Sequence, residues 1–154
     1  MAADPQPQKE VVSLSIPSRL EMLGLLDRVA EQLCERLDFP DEDRSNISMS
    51  VIEAGTNAIQ HGHHADPKKT VVVRFEMQPD RLTVVVHDNG SGFSPPAGIH
   101  DITSPEHLLD LRGRGIFIMQ TCMDEVKFDT SDTGTTVRMI KIRKPNPNGS
   151  PSAE

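Results

Sequence analysis

Ser50-Val51-Ile52-Glu53-Ala54-Gly55-Thr56-Asn57-Ala58-Ile59-Gln60-His61-Gly62 is the stretch on which the reading of the whole chain turns. Wound as an α-helix of 3.6 residues per turn, it brings Glu53, Asn57 and His61 within roughly 80° of one another about the axis. Ile47, Val51, Ile52, Ala54, Gly55, Ala58 and Ile59 fill much of the remaining arc. A carboxylate and a carboxamide one turn apart, backed by an apolar surface, can present a base beside a metal-ligand oxygen. Polar i, i+4 pairs also line ordinary surface helices, so the stretch takes its meaning from its surroundings.

Upstream, Val12, Leu14 and Ile16 alternate in a short strand over 11–16, which Pro17 stops. Ser18 followed by Glu21 fits a capping box, and Met22, Leu26, Val29, Leu33 and Leu37 then recur at helical spacing over 18–38. Phe39-Pro40-Asp41 ends that helix and opens the next, in which Pro40 and the acidic residues suit a first turn. This second helix carries the opening stretch and ends near Gly62. His61, His63, His64 and Asp66 form a short histidine tract, which the Asp66-Pro67 turn signal marks as loop rather than metal site.

Downstream, Thr70–Met77 and Arg81–His87 read as a hairpin about Gln78-Pro79-Asp80, with Val84 and Val86 on one face and Val85 on the other. The second strand runs into Asp88-Asn89-Gly90-Ser91-Gly92. Asn-Gly after a strand suits a hairpin, but Pro95-Pro96 denies it a partner strand. The alternative is an Asp88 carboxylate that accepts from a ligand amino group, with Gly90 and Gly92 letting the ligand lie on backbone. The weakly patterned run from Phe93 to Arg112 is long enough to be functional or disordered. Gly113-Arg114-Gly115 opens a short apolar helix over 116–123, where backbone N–H groups could meet an anion. It matches neither a dinucleotide fingerprint nor a Gly-x-x-x-x-Gly-Lys loop. Strands over 124–129 and 135–142 flank a turn at Ser131–Gly134, and Gly134-Thr135-Thr136 reads as a turn or a phosphate contact.

The order β-α-α-β-β-loop-α-β-β lacks the alternation of a doubly wound fold. It indicates an α+β two-layer sandwich, a mixed, mostly antiparallel sheet with helices on one face. At 154 residues the chain has the length of one domain, expected over 11–142 between disordered tails at 1–10 and 143–154. With five Phe and no Trp or Tyr, the core falls to Leu, Ile, Val and Met. A net charge of −7 disfavours a nucleic-acid partner held through phosphates. No apolar run reaches the roughly 18 residues of a membrane span, and the acidic, Pro-rich start is no export signal. A cytoplasmic protein is expected, with Cys34 and Cys122 as reduced core residues.

In order, Glu53-x-x-x-Asn57, Asp88-x-Gly90-x-Gly92, a flexible lid, Gly113-x-Gly115 and Gly134-Thr135-Thr136 resemble the GHKL ATPases with their Bergerat ATP-binding fold. Within them the chain is similar to the anti-sigma-factor serine kinases. The nearest matches are Glu53–Ala58 with His61-Gly62, and Arg114-Gly115-Ile116-Phe117-Ile118-Met119 running to Val126. The resemblance implies ATP and Mg²⁺ as cofactors, with Asn57 on the metal and Glu53 as general base. It places Asp88 at the adenine amino group, with Gly90 and Gly92 at the base. Gly113, Arg114 and Gly115 close on the phosphates, Arg112 or Arg114 supplies charge, and Thr135 assists. His61 lines the site or packs at the helix end. The implied partners are a STAS-domain anti-anti-sigma protein, a sigma factor and a second copy of the chain. Two functions stay open: a serine/threonine kinase, and a non-catalytic ATP-binding switch that acts by docking alone. A histidine-kinase catalytic domain fits less well, because the helix over 18–38 has no histidine.

Overall fold

Alternation of apolar side chains settles the sheet. In the computed structural model, which describes residues 8–62, 66, 68–89, 111–131 and 133–144, the strands form one five-stranded sheet. They are β1 (Glu10–Pro17), β2 (Thr70–Gln78), β3 (Arg81–Asp88), β4 (Glu125–Ser131) and β5 (Gly134–Ile142). The order is β1-β2-β3-β5-β4, and every pairing among the described residues is antiparallel. The register aligns Leu14, Val73, Val86 and Val137 across four strands, and Phe75, Val84 and Met139 one row along. These side chains form the helix-facing core with Leu26, Ile47, Val51, Ile59, Ile116 and Met119. Each fully buried Leu, Ile, Val or Phe contributes about 1.5–3 kcal/mol over its exposed state.

The other sheet face protects itself. Glu76 lies there with 1% of its surface exposed, ion-paired to Lys9 and, at 3.3 Å, to Arg74. Burial alone would raise its pKa. The Lys9 hydrogen bond and the charges of Lys9, Arg74 and Arg138 outweigh that and hold the carboxyl below its ordinary 4.5. Thr83, directly opposite Glu76 on β3, is buried on the same face. Two edges of the expected tails belong to this sheet. Glu10 starts β1 and Lys9 reaches Glu76, while the N–H of Arg143 donates to the Asp80 carbonyl at 2.7 Å.

A 3₁₀ turn at Leu20–Met22 precedes α1 (Leu23–Arg36). The residue capping that turn is Arg19, without a side-chain cap bond, so the Ser18/Glu21 box does not start the helix. Ser18 is instead buried, its N–H donating to the Lys69 carbonyl beside β2. α1 stops in a Schellman turn: Phe39 N–H reaches Cys34 O and Asp38 N–H reaches Glu35 O. Asp38 takes the left-handed conformation (φ 57°) that glycine usually fills there. Buried Phe39 then directs Pro40 to cap α2 (Asp41–Asn57), whose first turn holds Asp41, Glu42 and Asp43 toward the positive helix end. Both cysteines are free and buried. Burial pushes the Cys34 thiol up to about 12; Arg44 opposes the rise, and Glu31 and Asp27 add to it.

α3 (Leu111–Cys122) packs on α2 and leads into β4. Its end is held by Lys141, a core-facing lysine on β5 with 8% exposure. The Lys141 ammonium donates to the Cys122 carbonyl at 2.6 Å and lies 3.6 Å from Asp43 at the start of α2. A cation at a helix C-terminus satisfies an orphan carbonyl and opposes the dipole.

Candidate functional site

Strand periodicity puts Asp88 where its chemistry is sheltered. Leu82, Val84 and Val86 face the helices, and the next residue in that series is Asp88, with 6% exposure. A carboxylate thus continues the hydrophobic row at the strand's end. Its cross-strand partner is Thr135, also turned inward and buried. Directly opposed side chains in such a pair lie about 5 Å apart at Cβ, so carboxylate and hydroxyl share one small space. Among the described residues Thr135 Oγ1 has no hydrogen-bond partner. A buried hydroxyl without a partner costs stability, so this one fits a polar ligand group entering beside Asp88.

Glycine fixes the closeness of the two strand ends. Gly134 has φ +146°, and a Cβ on it would lie 1.9 Å from the Asp88 carbonyl oxygen and 3.1 Å from Asn89 Cα. No other residue allows that approach. The sequence alone leaves Gly134-Thr135-Thr136 as a turn or a phosphate contact, without the close approach to Asp88. Its position one residue before the inward Thr135 was the available signal.

On α2, Glu53 and Asn57 are half-buried on the side that meets α3. The contact is at Gly115. A Cβ there would sit 2.8 Å from Glu53 Oε2, 3.4 Å from Asn57 Nδ2 and 3.6 Å from Asn57 Oδ1. The bare glycine therefore leaves room for a carboxylate and a carboxamide side by side, an oxygen-bearing pair of the kind a hard cation and a general base require. The helix expected over 116–123 starts earlier than the sequence suggests. Gly113-Arg114-Gly115 does not precede a helix but lies within α3, which begins at Leu111. Leu111 to Gly113 are in the first turn, whose N–H groups have no partner inside the helix. The Gly115 N–H lies beyond it and belongs to the helical ladder. Gly115 contributes space, not a donor. Arg112 and Gly113 have helical backbone, and the Arg114 side chain is exposed.

His61 is also revised. The shared face with Glu53 and Asn57 presupposes α-helix throughout, but the five residues Ala58–Gly62 form a π turn. The wider turn breaks the 3.6-residue period just after Asn57. Thr56 donates its hydroxyl to the Ile52 carbonyl at 2.7 Å immediately before, a bond that bends helices. The π turn contacts β3 and β5, so the segment after Asn57 packs on the strands that carry Asp88 and Thr135. Gly90, Gly92, His63, His64 and the lid over 93–110 lie outside the described residues.

The histidine kinase-like ATPase domain matches residues 16–141. Serine-protein kinase RsbW of Bacillus licheniformis is 33% identical over 142 residues, covering 86% of each chain. That of Bacillus velezensis (strain DSM 23117 / BGSC 10A6 / LMG 26770 / FZB42) is 34% identical over 137 residues, covering 86% of this chain and 85% of its own. In structure, the RsbU and RsbW domains of Rv1364c from Mycobacterium tuberculosis superpose with a TM-score of 0.64 at 15% identity. That match covers 88% of this chain and 33% of the other, and supports the fold. The α+β sandwich read from the element order is the one found, and the chain belongs to the histidine kinase-like ATPase family, among relatives of the serine-protein kinase RsbW type.

Proposed function

We propose that this chain is an ATP-dependent protein serine/threonine kinase and anti-sigma factor, which phosphorylates a STAS-domain partner and holds a sigma factor when that partner is unavailable. One observation carries the reading: Glu53 and Asn57 meet at the bare Cα of Gly115, on the helix whose continuation packs on the Asp88 and Thr135 strands. Family membership supplies the protein-kinase class.

The residues divide the work by chemistry. Asp88 accepts from the adenine amino group, and the Thr135 hydroxyl, without a partner among the described residues, gains one there. Gly90 and Gly92 keep the base against backbone. Arg112 and Arg114 would supply guanidinium charge to the phosphates and Gly113 a first-turn N–H group, both of which favour an anion. The carboxamide oxygen of Asn57 would ligate Mg²⁺, which when bound neutralises phosphate charge. Glu53 takes the proton of the substrate serine or threonine hydroxyl as its oxygen attacks the γ-phosphorus. The bond from that phosphorus to the β–γ bridging oxygen breaks, and ADP leaves. Gly115 keeps the Glu53 carboxylate in place for this step.

No described helix is long and apolar enough to cross a membrane, in keeping with action in the cytoplasm. As in the resembling kinases, the chain works as a homodimer. The test is transfer of label from γ-labelled ATP to a purified STAS-domain protein. Wild type transfers label and Glu53→Ala does not, though both bind ATP. Binding without transfer by wild type would establish the docking switch instead, and full transfer by Glu53→Ala would refute the assigned base.

A further inference from the structure

Beside the inward Asp88 stands an outward residue that neither the family resemblance nor the roles above use. His87 precedes Asp88 on β3, so strand alternation turns it to the opposite sheet face, where it is half-buried. Its Nδ1 lies 2.7 Å from Thr136 Oγ1 on β5, and its Nε2 lies 3.0 Å from Asn89 Oδ1. An amide oxygen only accepts, so Nε2 carries the ring proton and donates to Asn89. In the neutral ring Nδ1 then accepts from the Thr136 hydroxyl. The imidazole thus bridges β5 to the first residue beyond the end of β3.

That residue is at a mechanically sensitive place. The β3–β5 ladder ends at the pair Asp88–Thr135, and Asn89 leads the chain out toward Gly90 and Gly92. Three consecutive residues of β5 grip this end. Gly134 packs flat against the Asp88 carbonyl and Asn89 Cα, Thr135 faces Asp88 on the inner side, and Thr136 reaches Asn89 through His87 on the outer side. The bridge adds a side-chain restraint on Asn89, and so on the orientation of the strand end that carries the Asp88 carboxylate.

We infer that His87 is a positioning residue of the nucleotide site, acting with Thr136 through Asn89 to hold the Asp88 strand end in its base-accepting conformation. The inference rests on the nucleotide-site reading above. His87 does not touch the nucleotide. It acts before binding, by pre-ordering the strand end, and so affects affinity rather than the transfer step.

The test measures ATP binding to the full chain by calorimetry, together with KM for ATP and kcat, for Thr136→Val, Thr136→Ser, His87→Ala and the Thr136→Val/His87→Ala double variant. Thr136→Val keeps the shape of a β-branched surface residue and removes only the hydroxyl. Loss of one such bond weakens binding about three- to tenfold. Thr136→Val and His87→Ala are each expected to raise Kd and KM by that factor with kcat at saturating ATP unchanged. Thr136→Ser is expected to match wild type. The double variant is expected to be no weaker than His87→Ala alone, because both changes break one bridge. Wild-type affinity in Thr136→Val, or multiplying effects in the double variant, would overturn the inference while leaving the nucleotide site intact. Absence of ATP binding by wild type would overturn both.

Discussion

Replacing Gly115 by alanine separates stability from activity, because the two respond to different atoms. Gly115 is an interior residue of α3, and its φ is not in the left-handed region, so an L-residue fits the backbone. Glycine to alanine in a helix interior adds about 0.5–1 kcal/mol through the unfolded chain's lost freedom. The new methyl, however, falls 2.8 Å from Glu53 Oε2, well inside van der Waals contact, while Asn57 Oδ1 at 3.6 Å is at ordinary distance. The carboxylate is the far end of a flexible side chain and moves aside by about half an ångström at little cost in stability. In the proposed mechanism catalysis depends on that position, and a displacement approaching 1 Å costs up to about a hundredfold in rate. Gly115→Ala should therefore raise the thermal midpoint by about 1–4 °C for a chain of this size. Its kcat for transfer to the proposed STAS-domain substrate should fall by about tenfold or more. Kd for ATP should change by less than about threefold, because Asn57 is not displaced. Calorimetric melting, ATP titration and labelled-phosphate transfer on the same preparation decide it. A variant that melts several degrees lower, or transfers phosphate at the wild-type rate, would refute the argument that Gly115 exists to make room for Glu53.

Thr135→Val removes, at constant shape, a buried hydroxyl that has no partner among the described residues; nucleotide-free protein should gain about 1 kcal/mol while ATP affinity falls, read by melting with and without ATP. Lys141→Met leaves the Cys122 carbonyl without its ammonium donor and should lower stability in urea by about 1–3 kcal/mol, with Lys141→Arg recovering part of it. Glu76 has a folded-state pKa held below its ordinary 4.5, so its stabilising contribution is complete above that pH and is lost as pH falls through the lower folded value. Urea midpoints measured from pH 6 downward should show a steeper acid decline for wild type than for Glu76→Gln.

Much of the layout is carried by local pattern. Alternation in Val12-Leu14-Ile16 and Val84-Val86, and the Phe39-Pro40-Asp41 break, place strands and helices within a residue or two, because side-chain period and chain stiffness are local properties. Alternation also carries Asp88 to the helix side, although its burial depends on helices far away in the sequence. The Ser18 box misleads because Ser18 is drawn into the core beside Lys69, a tertiary preference stronger than a cap. The π turn at Ala58–Gly62 has no local signature; it appears where the α2 end packs on β3 and β5.

By itself, then, the sequence determined the element order, the shared face of Val12, Leu14 and Ile16 and that of Val84 and Val86, and the set of residues that resemble a nucleotide site. Only the tertiary structure decided what the glycines do. Gly115 and Gly134 are ordinary in any local window, and their necessity comes from Glu53 and Asp88, residues distant along the chain that pack within a methyl's width of each bare Cα. Close approach between separated segments is a property of the packed state, which periodicity and propensity do not encode. The His87 bridge between Thr136 and Asn89 has the same origin: three polar residues become one device when β3 and β5 pair in this register.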